Sequence, residues 1–372
     1  MASDQTDEQV LEAIWRSPDT SAPFFSALFL QQIPAGQLGS FLGGMIEQCG
    51  ELITIQKTSK TGEYGMVTDR CEIPTVIARN ADGKVGRLSL YQPVRRHASL
   101  DDLLRDIKAF DGSVSYAIFE NGDQITGHDT DRPMAVGSAF KLIVLAAIRD
   151  LVEERKAGWA DVVTLKKKHV SLPSGDLHRM PIGSPYTLHT LAAAMIAESD
   201  NTATDVLIDV IGRDRLEAMS GLKPFLTTRE FFLLKADEGV YERYEQADQS
   251  GRKAILEGLA DAPLPPARTA LTPWKPEAEW LLSTKALCGW IEKVADLEIA
   301  QITTGPIRRT GWKHVSYKGG SEIGVLNYTT HARDDQDRDF CVSITWNADQ
   351  MIDPEPLNSL YAAVMHALKK RP

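Results

Sequence analysis

The sequence predicts an α+β protein in two parts, and three observations carry that expectation. The chain has 372 residues, more than one ordinary core accommodates. Its first hundred residues change from helical apolar spacing to a two-residue period, the mark of helices followed by strands. The remainder runs helix, two strands, a block of helices, two or three strands and a closing helix. Such an order packs helices on an antiparallel sheet, with the helical block forming a lobe of its own. The expected division is 1–97, a small α+β domain, and 98–372.

In the first part, residues 7–16, 23–33 and 37–48 read as helices, the second rich in Phe24, Phe25, Leu28 and Leu30. Leu52, Ile53 and Ile55 begin a strand, and Tyr64 to Val67, Ile73 to Ala78 and Val85 to Tyr91 read as three more. Asn80-Ala81-Asp82-Gly83 is a turn between the last two. Lys60-Thr61-Gly62 falls in a turn between strands and is taken as coincidence. Pro93 to His97 reads as a linker.

In the second part, Ser99 caps a helix with Leu100, Leu103, Leu104, Ile107 and Phe110 on one face. Val114 to Glu120 and Gln124 to His128 are strands joined at Asn121-Gly122, a hairpin signal. An apolar run after Ser138 predicts a buried helix. Helices follow from about Leu188 to Ala197 and, capped by Asp200 or Asn201, through Ala203, Val206, Leu207, Val210 and Ile211. Residues 235–280 are polar and then proline-rich, an irregular excursion with a helical middle, read either as a lid bearing Trp274 and Trp280 or as an ordinary packed loop. Ser283 caps a further helix, Val315 to Val325 enters a strand, Phe340 to Trp346 returns, and a helix with Leu357, Leu360, Tyr361, Val364 and Leu368 closes the chain.

Composition narrows the function. Apolar content of 43% and charged content of 25% are those of a soluble globular protein. The net charge of −10 argues against nucleic-acid or anionic-membrane partners, and no apolar run reaches the length of a membrane span. The four cysteines, Cys49, Cys71, Cys288 and Cys341, are widely spaced and are expected to be free buried thiols. The histidines are scattered without His-x-His or His-Glu-x-x-His spacing, so no metal centre is expected. The first residues, Met-Ala-Ser-Asp, form no secretory leader. The location is periplasmic or secreted if a leader was removed, and cytoplasmic otherwise.

The candidate chemistry starts at Ser138-Ala139-Phe140-Lys141. Positions three apart share one face of a helix, which lets the lysine amine act on the serine hydroxyl. A serine needs such a neighbouring base to become a nucleophile. Ser220 with Lys223 and Ser250 with Lys253 share the spacing but sit in turn-like or polar surroundings. What singles out Ser138 is its company: Ser199-Asp200-Asn201 lies 61 residues on, and Lys318-Gly319-Gly320 lies 119 beyond that.

These three segments, in this order, resemble the Ser-x-x-Lys, Ser-Asp-Asn and Lys-Thr-Gly set of class A β-lactamases and penicillin-binding proteins. The surrounding Met195 to Ala203 is similar as well. The first spacing is similar to the class A pattern, and the excursion at 235–280 accounts for the longer second one. The resemblance implies a β-lactamase-like serine hydrolase over 98–372, without metal or cofactor, acting on a small molecule. It makes Ser138 the acylated nucleophile, Lys141 its base, Ser199 a proton relay oriented by Lys318, and Asn201 a holder of Lys141 and of the substrate amide. It makes the backbone N–H groups of Ser138 and Ser321 the oxyanion hole, beside Gly319 and Gly320.

Two positions depart from the pattern. Gly319 stands where Thr or Ser is usual, which removes a hydroxyl that meets the substrate carboxylate; Ser321 or an arginine is the expected compensation. The loop that positions the deacylating water is matched only by Thr228-Arg229-Glu230-Phe231-Phe232-Leu233-Leu234, with Leu234 in place of Asn. Glu230 is therefore read two ways, as the deacylation base or as a structural salt-bridge partner of Arg229 or another cation. The implied activity is β-lactam opening, with an esterase, a D,D-peptidase or a slowly acylating β-lactam-binding protein as alternatives. A small α+β domain in front is similar, in order and size, to the two-domain β-lactamase-like protein of clavulanic acid biosynthesis. That likeness implies a cystatin-like or steroid-isomerase-like first domain.

Overall fold

The structure is a computed structural model that describes residues 5–58, 61–91, 93–96 and 99–371. Lys60 of the Lys60-Thr61-Gly62 triplet and the expected 97/98 boundary lie outside these residues. The chain forms two compact units, 1–107 together with 355–372, and 108–354.

The first unit opens with α1 (Asp7–Arg16), where Thr6 and Gln9 form a reciprocal capping box. The single helix expected over 23–33 is broken. Phe25 is extended, and Ser26 restarts the chain as N-cap of α2 (Ala27–Gln32), its hydroxyl accepting from the Phe29 N–H. Next come α3 (Ala35–Cys49), β1 (Leu52–Lys57), β2 (Glu63–Thr68), β3 (Cys71–Arg79) and β4 (Val85–Leu90). These strands pair antiparallel in sequence order. The expected linker is instead a fifth strand, β5 (Val94–Arg95), hydrogen-bonded to β3. Apolar periodicity was blind to it because two residues carry no period. The core joins Val10, Leu11, Ile14 and Trp15 to Leu42, Tyr64, Met66 and Ile73. Ser99 and Asp102 cap α4 (Leu100–Lys108), as the sequence suggested. The C-terminal helix Glu355–Lys369 clusters with this unit.

The second unit is built on one antiparallel sheet. Strand β6 (Ser113–Glu120) turns at Asn121 and Gly122, both at positive φ, into β7 (Asp123–His128). After β8 (Met134–Ala135) a 3₁₀ turn over Gly137–Phe140 runs into α5 (Lys141–Glu153). Every residue from Lys141 to Ile148 is buried, so this helix is the axis of the helical lobe. The lobe adds β9 (Val162–Thr164), β10 (Pro185–Thr187), α6 (Leu188–Ala197), α7 (Asn201–Ile211), α8 (Arg213–Ser220) and α9 (Thr228–Ala236).

The excursion expected at 235–280 proves largely helical: α10 (Glu238–Gln246), α11 (Gln249–Gly258) and α12 (Ala267–Ala270) occupy it. Trp280 is core rather than lid, stacked at 3.8 Å on Phe140. Then β11 (Leu281–Leu282), α13 (Thr284–Glu292), β12 (Trp312–Glu322), β13 (Val325–Asp334) and β14 (Asp339–Asn347) complete the unit, in sheet order β12-β13-β14-β6-β7.

The cysteine expectation needs correction. Cys288 of α13 and Cys341 of β14 form a disulfide with Cα atoms 5.8 Å apart. Fifty-three residues separate them, and only the packing of α13 on the sheet brings them together. Cys49 and Cys71 are free and buried, with their side chains hydrogen-bonded to each other.

Candidate active site

Ser138 sits in the 3₁₀ turn at the head of α5, half-buried, while Lys141 one turn later is completely enclosed. The strand end of β12 closes on this turn through two glycines. A Cβ at Gly320 would fall 2.0 Å from the Val136 carbonyl and 2.6 Å from Ser138 N. One at Gly137 (φ +49) would fall 3.1 Å from Ser321 N. Only glycine lets strand and turn approach so closely. The approach brings the backbone nitrogens of Ser138 and Ser321 close to the strand–turn junction.

The Ser199-Asp200-Asn201 segment turns its polar groups toward the α5 lysine. Ser199 has φ +56, a left-handed conformation unfavourable for a residue with a Cβ. Its carbonyl, held by the Ser174 hydroxyl at 2.8 Å, also accepts from Lys141 Nζ. Lys141 Nζ further reaches Ser199 Oγ at 3.2 Å and Asn201 Oδ1 at 2.6 Å. Asn201 is fixed in this orientation because its Nδ2 donates to the Leu172 carbonyl. Asp200 caps α7 with one oxygen, accepting from Ala203 N, and accepts from Leu177 N with the other. It therefore ties the loop ahead of α6 to the start of α7.

From the strand side, Lys318 Nζ donates to Ser199 Oγ at 3.0 Å and to the Gly319 carbonyl at 2.7 Å. One serine hydroxyl thus stands between two lysines. Neither lysine has a carboxylate within salt-bridge distance among the described residues. Burial, and then the charge of Lys318, hold the Lys141 amine well below its ordinary range. Burial pushes Lys318 down to about 7. A neutral Lys141 has two N–H bonds and one lone pair. The Ser199 carbonyl and Asn201 Oδ1 accept the two hydrogens, which leaves the lone pair for a hydroxyl proton. The Ser138 hydroxyl makes no hydrogen bond among the described residues in this structure, so the direct Ser138–Lys141 contact expected from helical spacing is not formed here. The amine is turned to Ser199 and Asn201.

Glu230 takes up its two oxygens elsewhere. One accepts from the Thr227 backbone N–H as the third residue of the α9 capping box, and the other pairs with Arg213 at 2.5 Å. Of its two readings from sequence, the geometry here corresponds to the salt bridge, with Arg213 rather than Arg229 as the cation. Arg229 donates instead to the Val170 and Ala262 carbonyls. The two other Ser-x-x-Lys matches have ordinary local roles. Ser220 Oγ bonds back to the Leu216 carbonyl, and Lys253 pairs with Glu217.

Three groups near the motifs were invisible in sequence. Asp205 of α7 accepts from the Thr228 and Arg229 N–H groups, tying α7 to the head of α9, and burial raises it to about 7. Lys235, wholly buried, lies 2.5 Å from Glu322 and 3.6 Å from Glu279. Burial, and then the neighbouring Glu322 carboxylate, drive Glu279 far above the usual carboxylate range. The protonated form of Glu279 is therefore favoured beside the Lys235–Glu322 contact. Glu322 directly follows Ser321, so this triad anchors the end of β12.

The third group is Tyr317. Residues 317, 319 and 321 alternate onto one face of β12. A Cβ at Gly319 would lie 2.2 Å from Tyr317 Oη, and one at Gly305 would lie 2.3 Å from its ring carbons. The two glycines leave a slot, and the phenol fills it with its hydroxyl over Gly319. No spacing rule reveals this; the signal available in sequence was the glycine at 319 itself.

A family profile described as "Beta-lactamase enzyme family" matches residues 96–228, which include Ser138, Lys141, Ser199 and Asn201. No curated protein matches. Among solved structures, a β-lactamase from Sphaerobacter thermophilus DSM 20745 is similar at 18% identity and a TM-score of 0.52, covering 73% of this chain and 94% of that one. A structure titled PBP-A is similar at 14% identity and a TM-score of 0.51, covering 72% and 94%. A doubly substituted class A β-lactamase of the last common ancestor of Gram-negative bacteria is similar at 15% identity and a TM-score of 0.50, covering 73% and 99%. At these identities the likeness is one of fold. The chain carries a β-lactamase-like fold over about 73% of its length.

Proposed function

We propose that this protein is a serine hydrolase that opens β-lactam rings through an acyl-enzyme on Ser138. One observation carries the reading: the buried Lys141 amine, deprived of a carboxylate partner, shares the Ser199 hydroxyl with Lys318. An uncharged amine one turn from a serine is the base that acyl transfer needs. In this reading Ser138 Oγ attacks the ring carbonyl and its proton passes to Lys141. The oxyanion is met by the N–H groups of Ser138 and Ser321, and Ser199 returns a proton to the departing ring nitrogen. Tyr317 Oη, with Ser321 Oγ, meets the substrate carboxylate in place of the hydroxyl absent at Gly319.

Exposure to a penicillin followed by intact-mass measurement tests the proposal. Wild type should gain the mass of the opened antibiotic, and Ser138→Ala should gain nothing. Equal labelling of the two, or neither labelling nor penicillin hydrolysis by wild type, removes the reading.

A second reading is favoured by Glu230. Its carboxylate is engaged by Thr227 and Arg213, which leaves no obvious base for the deacylating water. The acyl-enzyme would then be long-lived on β-lactams, and a simple ester would turn over better. Comparing steady-state hydrolysis of a chromogenic cephalosporin and a p-nitrophenyl ester separates the two. The first domain is proposed to be of the cystatin or steroid-isomerase kind, with no role assigned.

A further inference from the structure

The sheet carries a second cluster of chemically capable side chains, away from the serine. In β12 and β13, Ser316 pairs with His331 and His314 with Arg333, and in β13 and β14 Arg333 pairs with Asp339. Opposed residues share a face, and so do residues two apart. His314, His331 and Asp339 therefore emerge on one side of three adjacent strands. One ligand atom from each lies within 4.8 Å of the other two. The imidazoles stack nearly parallel, 7° apart, with His314 Nε2 and His331 Nδ1 separated by 3.4 Å.

From this placement we infer that His314, His331 and Asp339 form a structural binding site for a divalent transition-metal ion of the zinc class. The nitrogen separation supports it. Tetrahedral zinc with Zn–N bonds of about 2.0–2.1 Å sets its ligands about 3.3–3.4 Å apart, the spacing the two imidazoles already have. Asp339 Oδ1 lies 4.0 Å from His331 Nε2, the ring nitrogen other than the one facing His314, and a carboxylate oxygen lies within 4.8 Å of the ligating nitrogens; Arg333 grips the carboxylate at 2.8 and 2.6 Å. Rotation of the side chain would bring Oδ1 to the ion while Oδ2 stays on Arg333. A ligating carboxylate hydrogen-bonded through its other oxygen is a usual arrangement around metals. Arg333 is 43% exposed, so its other nitrogens can move toward water. A solvent molecule would complete four-coordination.

The inference does not depend on the serine chemistry. It concerns the half of β12 before Lys318, where an ion would clamp three strands together. The histidines stand 17 residues apart and meet only through strand pairing, so no metal-binding spacing marks them in the sequence.

The experiment uses the full-length protein, freed of any affinity tag and of metal by chelation, with zinc sulfate in a calorimeter and cobalt(II) chloride in a spectrometer. We expect one equivalent of zinc, a raised melting temperature, and the intense visible bands of four-coordinate cobalt. His331→Ala should weaken zinc binding at least about 100-fold, and Asp339→Asn by roughly 10-fold. Because His331 is buried and its loss can disturb folding, half-buried His314→Ala serves as a second variant and should lose the cobalt bands while retaining wild-type circular dichroism. Stoichiometric binding that survives in both histidine variants overturns the assignment. So does a wild-type protein that shows only the pale spectrum of six-coordinate cobalt, or no binding at all.

Discussion

Two buried lysine sites in the second unit differ in what surrounds them. At Ser199, two amines face each other with a hydroxyl between them and, among the described residues, no carboxylate within salt-bridge distance. Elsewhere, Lys235 faces the carboxyl groups of Glu279 and Glu322. Desolvation is severe at both. In the first site Asp205 and Asp200 oppose it without offsetting it, so both amines are held low. In the second Glu322 lies directly against the amine, and the triad fixes the end of β12. Burial alone does not give a lysine its role; the partner does.

The sharpest way to break this comparison is to exchange each lysine for methionine. Lys141→Met should lower the acylation rate by about 10²–10⁴, read by fluorescent penicillin labelling. Its melting temperature should hold or rise, because an uncompensated buried amine is gone. Lys235→Met should do the reverse. It leaves a buried carboxylate unpaired and should cost about 3–5 kcal/mol in denaturant unfolding, with labelling by penicillin retained in the folded fraction. If both variants lose activity and stability alike, the two sites are not distinct.

The pH dependence sharpens the same contrast. Lys318 titrates near 7 in the folded protein against an ordinary value of 10.5. Between these values the unfolded chain holds a proton that the folded chain lacks, so this group makes stability rise with pH from about 7 to about 10.5. Over the same rise the ammonium that donates to Ser199 Oγ is lost, so kcat/KM should fall above about pH 7 for a β-lactam and an ester alike. Parallel melting curves and initial rates across that range check both signs.

The smallest expected effect is at the hydroxyl over Gly319. Tyr317→Phe keeps the ring in its slot and removes one hydrogen bond to a charged carboxylate, about 1.5–3 kcal/mol. KM for a carboxylate-bearing substrate should rise roughly 10- to 150-fold with kcat unchanged, and ester kinetics should not move. A change in kcat for both substrates would make Tyr317 a packing residue only.

Much of this was legible in the sequence because the motif residues are local. Ser138 and Lys141 share one turn, Ser199, Asp200 and Asn201 are consecutive, and Lys318 precedes its glycines. Long amphipathic or apolar segments such as α5, α7 and the β6–β7 hairpin declare themselves by period and turn chemistry. The misses arise where long-range packing decides. Phe25 interrupts a helix that its apolar neighbours suggested, and β5 is too short to have a period. The Cys288–Cys341 bond and the Lys235–Glu279–Glu322 triad join segments far apart in the chain. The role of Glu230 was ambiguous for a related reason. A glutamate three residues after a threonine is a capping signal, yet the same position also fitted a catalytic loop.

The left-handed Ser199 couples the chemistry to one rotatable bond. Its peptide oxygen and its side chain address the same amine only while that rotation is held, and Ser174 and the Asp200 cap are what hold it. Were the segment to relax into an ordinary helical geometry, the carbonyl would swing off Lys141, water would reach the nitrogen, and the amine would regain its proton. On the proposed reading, the base beside Ser138 is thus held from a peptide unit 61 residues along the chain.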